Sequence, residues 1–329
     1  MRIDLPFTTA YDNLKTVAQS LNYPMNGNRL EVDHDGMLIN MHTFAFNPHF
    51  SMSIWEARFN EDLHVPRVPT LKNEGFQLSF FLESNLNHSI IWTDGKQKRY
   101  YGFGHAYFQS SMLTGEIIYP KDVHFRVLTL YFDRTWICHL LDRIESPIPE
   151  TVLQLCQNDT PLLFSQEIDR EERSILNRIW SSQRPNFIQE LSYESWAFLL
   201  LTRSIGKIAQ RDEVNMLESV RIEDLKRIRQ IRDALIADLS QAPPSIPELS
   251  KKFGISDSKL KKIFKQVYGK SIYGYHQQKR LEHARDLLES GEKTVSEAGY
   301  TIGYTNLSKF SRAFKAHFGF LPSRTKDFL

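Results

Sequence analysis

Two short runs near the C-terminus carry the side chains whose chemistry is easiest to read. Leu260-Lys261-Lys262-Ile263-Phe264-Lys265-Gln266-Val267-Tyr268-Gly269 recurs fifty residues later as Phe310-Ser311-Arg312-Ala313-Phe314-Lys315-Ala316-His317-Phe318-Gly319. The apolar positions agree, the basic positions largely agree, and both copies end in glycine. With Lys259 and Lys309 added, each copy places cations on one side of a helix, where they can meet phosphate oxygens. Arg312 can also offer two parallel donors to guanine. A lysine run alone equally describes a solvated helix face. A second copy with matched spacing argues for a polyanion.

The elements that position these cations also repeat. Ser245-Ile246-Pro247-Glu248 and Thr294-Val295-Ser296-Glu297 lie 49 residues apart. In each, the hydroxyl can accept from the amide three residues on while Glu reaches back, so each starts a helix. Gly254 and Gly303 permit the left-handed turn that ends it. Ser256 in the first copy, and Thr305 or Asn306 in the second, can cap the helix that follows. Helix, glycine turn, helix is the helix-turn-helix unit, whose second helix enters the major groove. A helix predicted over Tyr273 to Glu289, with Leu281, Ala284, Leu287 and Leu288 as its stripe, joins the copies. Its length, roughly 24 Å, suits two recognition helices about one DNA turn, ~34 Å, apart.

Charge separates this region from the rest. Residues 221–329 hold 21 Lys and Arg against 12 Asp and Glu, a net +9, whereas 1–220 carry −7 within a chain total of +2. A basic tail on an acidic body fits a nucleic-acid partner. At 329 residues more than one domain is expected. The two cysteines, Cys138 and Cys156, show no metal spacing; they fit a reducing cytoplasm and argue against a disulfide scaffold, with Cys138 as inert core. The N-terminus lacks a signal-like apolar run and no segment is long enough to span a bilayer, so a cytoplasmic protein without membrane contact is expected.

The body reads as β-rich. A helix over 8–21 (Leu14, Val17, Ala18 and Leu21 on one face) precedes short strands over 36–135. Phe76, Leu78, Phe80 and Leu82 alternate with Gln77 and Ser79. Asp94-Gly95 reads as a type I′ hairpin turn, and Phe125 to Phe132 as a buried strand. This predicts a small barrel or jelly roll. From about 165 the period becomes helical: Ile168, Ile175, Leu176 and Ile179, then Trp196, Leu199, Leu200 and Ile208 within 190–210. That helical pair serves either a homodimer interface or packing on its own β domain. A third helix, 222–239, is stopped by Gln241-Ala242-Pro243-Pro244.

Residues 222–329 resemble the AraC/XylS family of transcriptional regulators. The resemblance runs through Phe253-Gly254-Ile255-Ser256, Leu260 to Phe264, Arg280-Leu281-x-x-Ala284-x-x-Leu287-Leu288, Ile302-Gly303-Tyr304, Phe310 to Lys315, and Phe318-Gly319 with Pro322-Ser323. Ala298-Gly299 departs from the pattern, standing where the family usually has a larger aliphatic and an alanine. The family places base contacts at the positions of Ser258, Lys261 and Lys262, and of Leu307, Ser308, Ser311 and Arg312. Leu307, in place of a polar residue, would touch a thymine methyl or no base. Lys259, Lys265, Lys309 and Lys315 remain phosphate candidates. Residues 222–239 and the preceding body look similar to siderophore-sensing members of the family. The resemblance implies a cupin-like N-terminal barrel that binds a small effector, and RNA polymerase as a partner if the protein activates.

The expected architecture is therefore α+β and multidomain. It comprises a β-rich effector domain over 1–160, a helical linker or dimerisation segment over 161–220, and an all-α DNA-binding domain with two helix-turn-helix units over 221–329. Effector candidates are Trp55, Arg58, Phe80, Trp92, Arg99, Tyr101 and His105, as pocket aromatics and polar contacts; barrel core is the alternative for the aromatics. Eight of the eleven histidines precede residue 140, but no His-x-His pair exists, so no metal or cofactor is expected. No nucleophile elbow, P-loop, zincin or dinucleotide fingerprint appears, so no catalytic residue is assigned. Double-stranded promoter DNA is the expected partner, with a small effector. The rivals are control by a protein partner without a ligand, and a metal-dependent cupin enzyme fused to a regulator domain.

Overall fold

The computed structural model divides the chain into two units, Met1–Arg221 and Ile222–Leu329. It describes all residues except 83–89, 94–97, 102–103, 114, 158, 160, 182–186, 211–221, 269 and 329.

The first unit runs β1 (Leu5–Pro6), α1 (Ala10–Leu21), β2 (Arg29–His34), β3 (Met37–Asn47), β4 (Phe50–Arg58), β5 (Leu63–Val68), β6 (Gly75–Leu82), β7 (Ile90–Thr93), β8 (Lys98–Tyr101), β9 (His105–Ser110), β10 (Gly115–Tyr119), β11 (Phe125–Asp133), α2 (Arg134–Asp142), α3 (Glu150–Gln157), β12 (Leu163–Glu167), α4 (Arg170–Trp180) and α5 (Phe187–Ala209). Its strands form a five-stranded sheet, β1-β5-β10-β7-β8, and a seven-stranded sheet, β12-β9-β6-β11-β4-β3-β2. All pairings are antiparallel except β1 with β5.

Side-chain alternation gives the larger sheet two buried faces. One face packs with the smaller sheet and α1 around Leu14, Val17, Trp55, Val65, Ile117 and Val127. The other packs under the helices around Phe76, Leu78, Leu130, Leu176, Ala197 and Leu200. The helical pair thus shares the core of its own β domain. Within α5 the buried positions are Tyr193, Ala197, Leu200, Leu201, Ser204 and Ile208. Leu199, expected on that face, is 46% exposed together with Phe187, Ile188, Leu191 and Phe198.

Several expectations change. The sheet continues past residue 160, because β12 pairs with β9. The helices α2 and α3, read as part of the β region or left unassigned, bring Cys138 and Cys156 together in a disulfide with Cα atoms 5.7 Å apart. Sequence separation alone did not indicate that approach. Asp94 and Gly95 lie outside the described residues, although β7 and β8 do pair as the hairpin reading requires. A two-residue turn with both φ values positive lies at Asp35-Gly36, between β2 and β3.

The second unit comprises α6 (Ile222–Ile236), α7 (Ile246–Phe253), α8 (Asp257–Tyr268), α9 (Ile272–Glu289), α10 (Val295–Thr301), α11 (Leu307–Phe318) and a final 3-10 turn, Pro322–Phe328. α6 ends three residues before the expected 239. Asp238 Oδ1 accepts from the Ser240 amide at 2.9 Å and its hydroxyl at 2.6 Å, a local turn that competes with helical bonding.

Candidate nucleic-acid interface

Both helix-turn-helix units start as their sequences require. Ser245 and Glu248, and Thr294 and Glu297, each make the reciprocal capping box. Hydrogen bonds from the capping hydroxyls and amides hold the Glu248 and Glu297 carboxyls below the usual range. Gly254 closes α7 in the left-handed conformation. Asn306 caps α11, accepting from the Lys309 amide at 2.9 Å.

The long helix α9 serves both units. Near its start, the Tyr275 ring lies 5.5 Å from Phe264 and 4.9 Å from Tyr268 of α8. Further along, Leu281, Ala284 and Leu288 enter the core of Ala298, Ile302, Phe310 and Phe314. Arg280 Nε donates to the Ile302 carbonyl at 2.5 Å, and its guanidinium sits 4.9 Å over the Tyr304 ring. That contact fixes the turn between α10 and α11. Gly303 in that turn has φ +74°, and a Cβ there would fall 1.9 Å from the Ser240 carbonyl oxygen. Only glycine allows that approach.

On α8, Leu260, Ile263, Phe264 and Tyr268 face inward, while Ser258, Lys259, Lys261, Lys262 and Lys265 are exposed. On α11, Phe310 and Phe314 face inward, Ser308, Lys309, Arg312 and Lys315 are exposed, and Ser311 is half-buried. Lys261, Lys309, Arg312 and Lys315 have no ion pair among the described residues. Two assigned residues are engaged otherwise. Lys259 Nζ lies 2.7 Å from Asp224 Oδ2 of α6. Leu307 is half-buried, and its Cδ2 lies 2.9 Å from where a Cβ on Gly299 would be. The glycine that departs from the family pattern therefore provides the space that Leu307 fills.

The effector candidates do not converge. Trp55 and His105 are buried on one face of the seven-stranded sheet, in the cross-strand row that also holds Val127 and Phe81. Phe80 is buried on the opposite face, under the helices. Arg58 is exposed at the end of β4. Trp92 and Arg99 pair directly across β7 and β8, and Tyr101 pairs with Ile90; their side chains lie outside the description. A depression of about 490 Å³ lies at the end of α1, lined by Ala18, Gln19, Asn22, Tyr23, Pro24 and Met25, none of them a sequence candidate. The sequence reading also missed the buried polar residues Asn13, Ser53, Ser79, Gln109 and Thr129. For the four on strands, Ser53, Ser79, Gln109 and Thr129, strand alternation was the available signal.

No helix among the described residues is long and apolar enough to cross a membrane. Two capped helix-turn-helix units, each presenting a cationic second helix, define a DNA-binding transcriptional regulator. Comparison with known proteins agrees. Residues 36–217 match the family described as Regulatory protein PchR N-terminal domain, and 249–327 match a helix-turn-helix domain family. The regulatory protein PchR of Pseudomonas aeruginosa is 30% identical over 150 residues, 45% of this chain and 49% of that protein. A probable transcriptional regulator, LumQ, of Photobacterium leiognathi is 27% identical over 133 residues, 40% of this chain and 53% of that protein. The chain thus spans about half the length of these curated relatives. A crystal structure of a probable AraC family regulator from Rhodopseudomonas palustris is 31% identical, covering 31% of this chain and 96% of that one, with a TM-score of 0.28. The chain belongs to the AraC/XylS family of transcriptional regulators and carries a PchR-type N-terminal domain.

Proposed function

We propose that this regulator reads promoter DNA through α8 and α11 in successive major grooves and changes its DNA binding when a small molecule occupies its β domain. The observation that carries the reading is the pair of capped units with exposed cations on matched faces. Arg312 reads guanine and Lys261 and Lys262 read bases or phosphates, while Lys265, Lys309 and Lys315 hold the backbone. Phe187, Ile188, Leu191, Phe198 and Leu199 supply an exposed apolar stripe on α5. That stripe supports a homodimer, and in an activator the DNA-bound protein would contact RNA polymerase in the cytoplasm.

The test is a footprint of the full chain on its own promoter. Two protected major-groove segments about 10 bp apart are expected; a single segment would contradict paired readout. The exposed stripe also favours the second reading, control by a protein partner. Sedimentation separates them: a dimer lost in Leu191→Asp supports self-association, and a monomer favours the partner.

A further inference from the structure

The only two cysteines of the chain meet. Cys138 lies on α2 and Cys156 on α3, 18 residues apart in sequence, with their Cα atoms 5.7 Å apart, within the range that a disulfide spans. Both residues are half-buried and pack against the helical core, where the sequence suggested that Cys138 is sealed inside it.

Two features set this pair apart from a structural staple. The packing beneath it is complete without the bond: Ile137 and Leu141 of α2 and Val152 and Leu155 of α3 are buried in one apolar cluster with Ala197 and Leu200 of α5. A domain with a core of this kind is unlike the small scaffolds that need disulfides to fold. The second feature is the setting. A regulator that binds promoter DNA works where the DNA is, and there thiol reductants keep cysteines reduced. A disulfide in such a compartment is transient, catalytic or redox-sensing.

Arg134, the first residue of α2, aligns the two helices. It donates to the Cys156 carbonyl through Nε at 3.1 Å and through Nη2 at 2.5 Å. Its Nη1 donates to the Asp159 carboxylate, and to the Asn73 carbonyl at 3.5 Å. These bonds involve no sulfur, so they hold the end of α3 against the start of α2 in the dithiol as well. Thiols placed in this way close a disulfide without moving the backbone.

The pair also lies beside a support of α5. Trp136, two residues before Cys138, stacks on Phe50 with ring centroids 4.9 Å apart and meets Phe198 of α5 edge-on at 6.3 Å. Phe198 belongs to the exposed apolar stripe of that helix.

We infer that Cys138 and Cys156 form a reversible thiol–disulfide site, through which the redox state of small cellular thiols acts on α5. One thiolate of the pair attacks a sulfur of a low-molecular-weight disulfide such as oxidised glutathione. A mixed disulfide forms and one glutathione thiolate leaves. The other protein thiolate then attacks the protein sulfur of the mixed disulfide and releases the second glutathione thiolate. The two protein thiols give up two electrons and two protons, and oxidised glutathione takes up both to become two molecules of glutathione. The closed bond ties α2 to α3 and holds Trp136 beneath Phe198. Its consequence for DNA rests on the reading of the α5 stripe as a homodimer interface: a better ordered stripe favours the dimer and tighter promoter binding.

The test equilibrates the full-length protein in mixtures of reduced and oxidised glutathione that span the cytosolic ratio, and counts free thiols with a maleimide. Two free thiols in the most reducing mixture and none in the most oxidising are expected, with a reversible transition between. Cys138→Ser and Cys156→Ser should each gain the mass of one glutathionyl group. The oxidised protein should melt several degrees higher than the reduced and bind its promoter about threefold more tightly. Cys138→Ser/Cys156→Ser should bind the promoter alike in every mixture. Thiols that stay free throughout, a bond that survives the most reducing mixture, or a mixed disulfide in neither single variant would overturn the site. Equal promoter affinity in the two states of a dimeric wild type would overturn its action on α5. Sedimentation in the same mixtures tests the dimer reading separately. A wild type that is monomeric in all of them would sink that reading, and the thiol site would then be decided by the thiol counts alone.

Discussion

Lys259 Nζ lies 2.7 Å from Asp224 Oδ2, and that carboxylate is only 2% exposed, with Arg227 a further 3.3 Å partner. The pair ties α8, the first recognition helix, to α6, the helix that opens the DNA-binding unit. A carboxylate so buried needs its cations, because leaving it unpaired is costly. We propose that Lys259 acts as a positioning residue, where its spacing suggested a phosphate contact. Lys259→Met should leave the salt dependence of DNA binding nearly unchanged while destabilising the unit by about 1–3 kcal/mol. Lys261→Met and Lys315→Met should each flatten the slope of log K against log salt by about 0.9. A slope change in Lys259→Met equal to theirs would return it to the phosphate set.

Gly299 and Leu307 form a complementary pair. An added methyl at Gly299 would meet Leu307 Cδ2 at 2.9 Å and Phe310 Cδ1 at 3.0 Å. Gly299→Ala should cost about 1–3 kcal/mol through overpacking. Leu307→Ala in the same chain should recover part of that loss, a coupling that a double-mutant cycle in urea unfolding would measure. Additive losses would mean the two positions are independent. Leu307→Ala should also leave operator preference intact, since the side chain packs beside Gly299.

Gly303 is more constrained. Its positive φ and the 1.9 Å approach of a virtual Cβ to the Ser240 carbonyl oppose any side chain. Gly303→Ala should lower stability by at least about 2 kcal/mol, combining backbone strain with displacement of the segment after α6. It should reduce DNA affinity even though residue 303 carries no contact group. Calorimetry beside gel shifts tests this; wild-type stability would refute the geometry.

His42 lies against Phe44 with ring centroids 4.0 Å apart and the rings tilted, and burial, helped by the Arg29 guanidinium, lowers its pKa to about 4. The unfolded imidazole titrates near 6.5, so between these values the unfolded chain binds the extra proton. The contribution is complete above about pH 6.5 and is lost as pH falls toward 4. Buried His276 shifts in the same direction, first through desolvation and then through Arg280. Urea unfolding at pH 7 and pH 5 should differ by about 1 kcal/mol from His42, allowing for screening of a half-exposed ring. His42→Gln should remove that difference; an unchanged pH dependence would show that His42 does not couple to folding.

The regulatory half was legible because its signals are local. A capping box, a glycine stop and a cationic helix each act within a few residues, and their repetition made each copy a check on the other. The partners of Lys259 and Leu307, Asp224 and the space at Gly299, were not legible because helix packing sets them. The β domain was legible as a class only. Its alternation located Phe76, Leu78, Phe80 and Leu82 on one face, but the register that aligns Thr43, Ser53, Thr129 and Ser79 joins strands far apart in the chain. The Cys138–Cys156 pair depends on the turn between α2 and α3, which no periodicity marks. Asp35-Gly36 carries the same local turn signal as Asp94-Gly95.

The central claim is sequence-specific DNA binding by two matched helices. It is tested most directly by titrating the full chain onto its own promoter and onto random DNA across a range of salt. The account predicts a linear fall of log K with log salt on both, with a promoter preference that survives competitor. Arg312→Ala should reduce that preference by about 1–3 kcal/mol with a smaller effect on random DNA. No binding at any salt, or a promoter preference untouched by Arg312→Ala combined with Lys262→Ala, would contradict it.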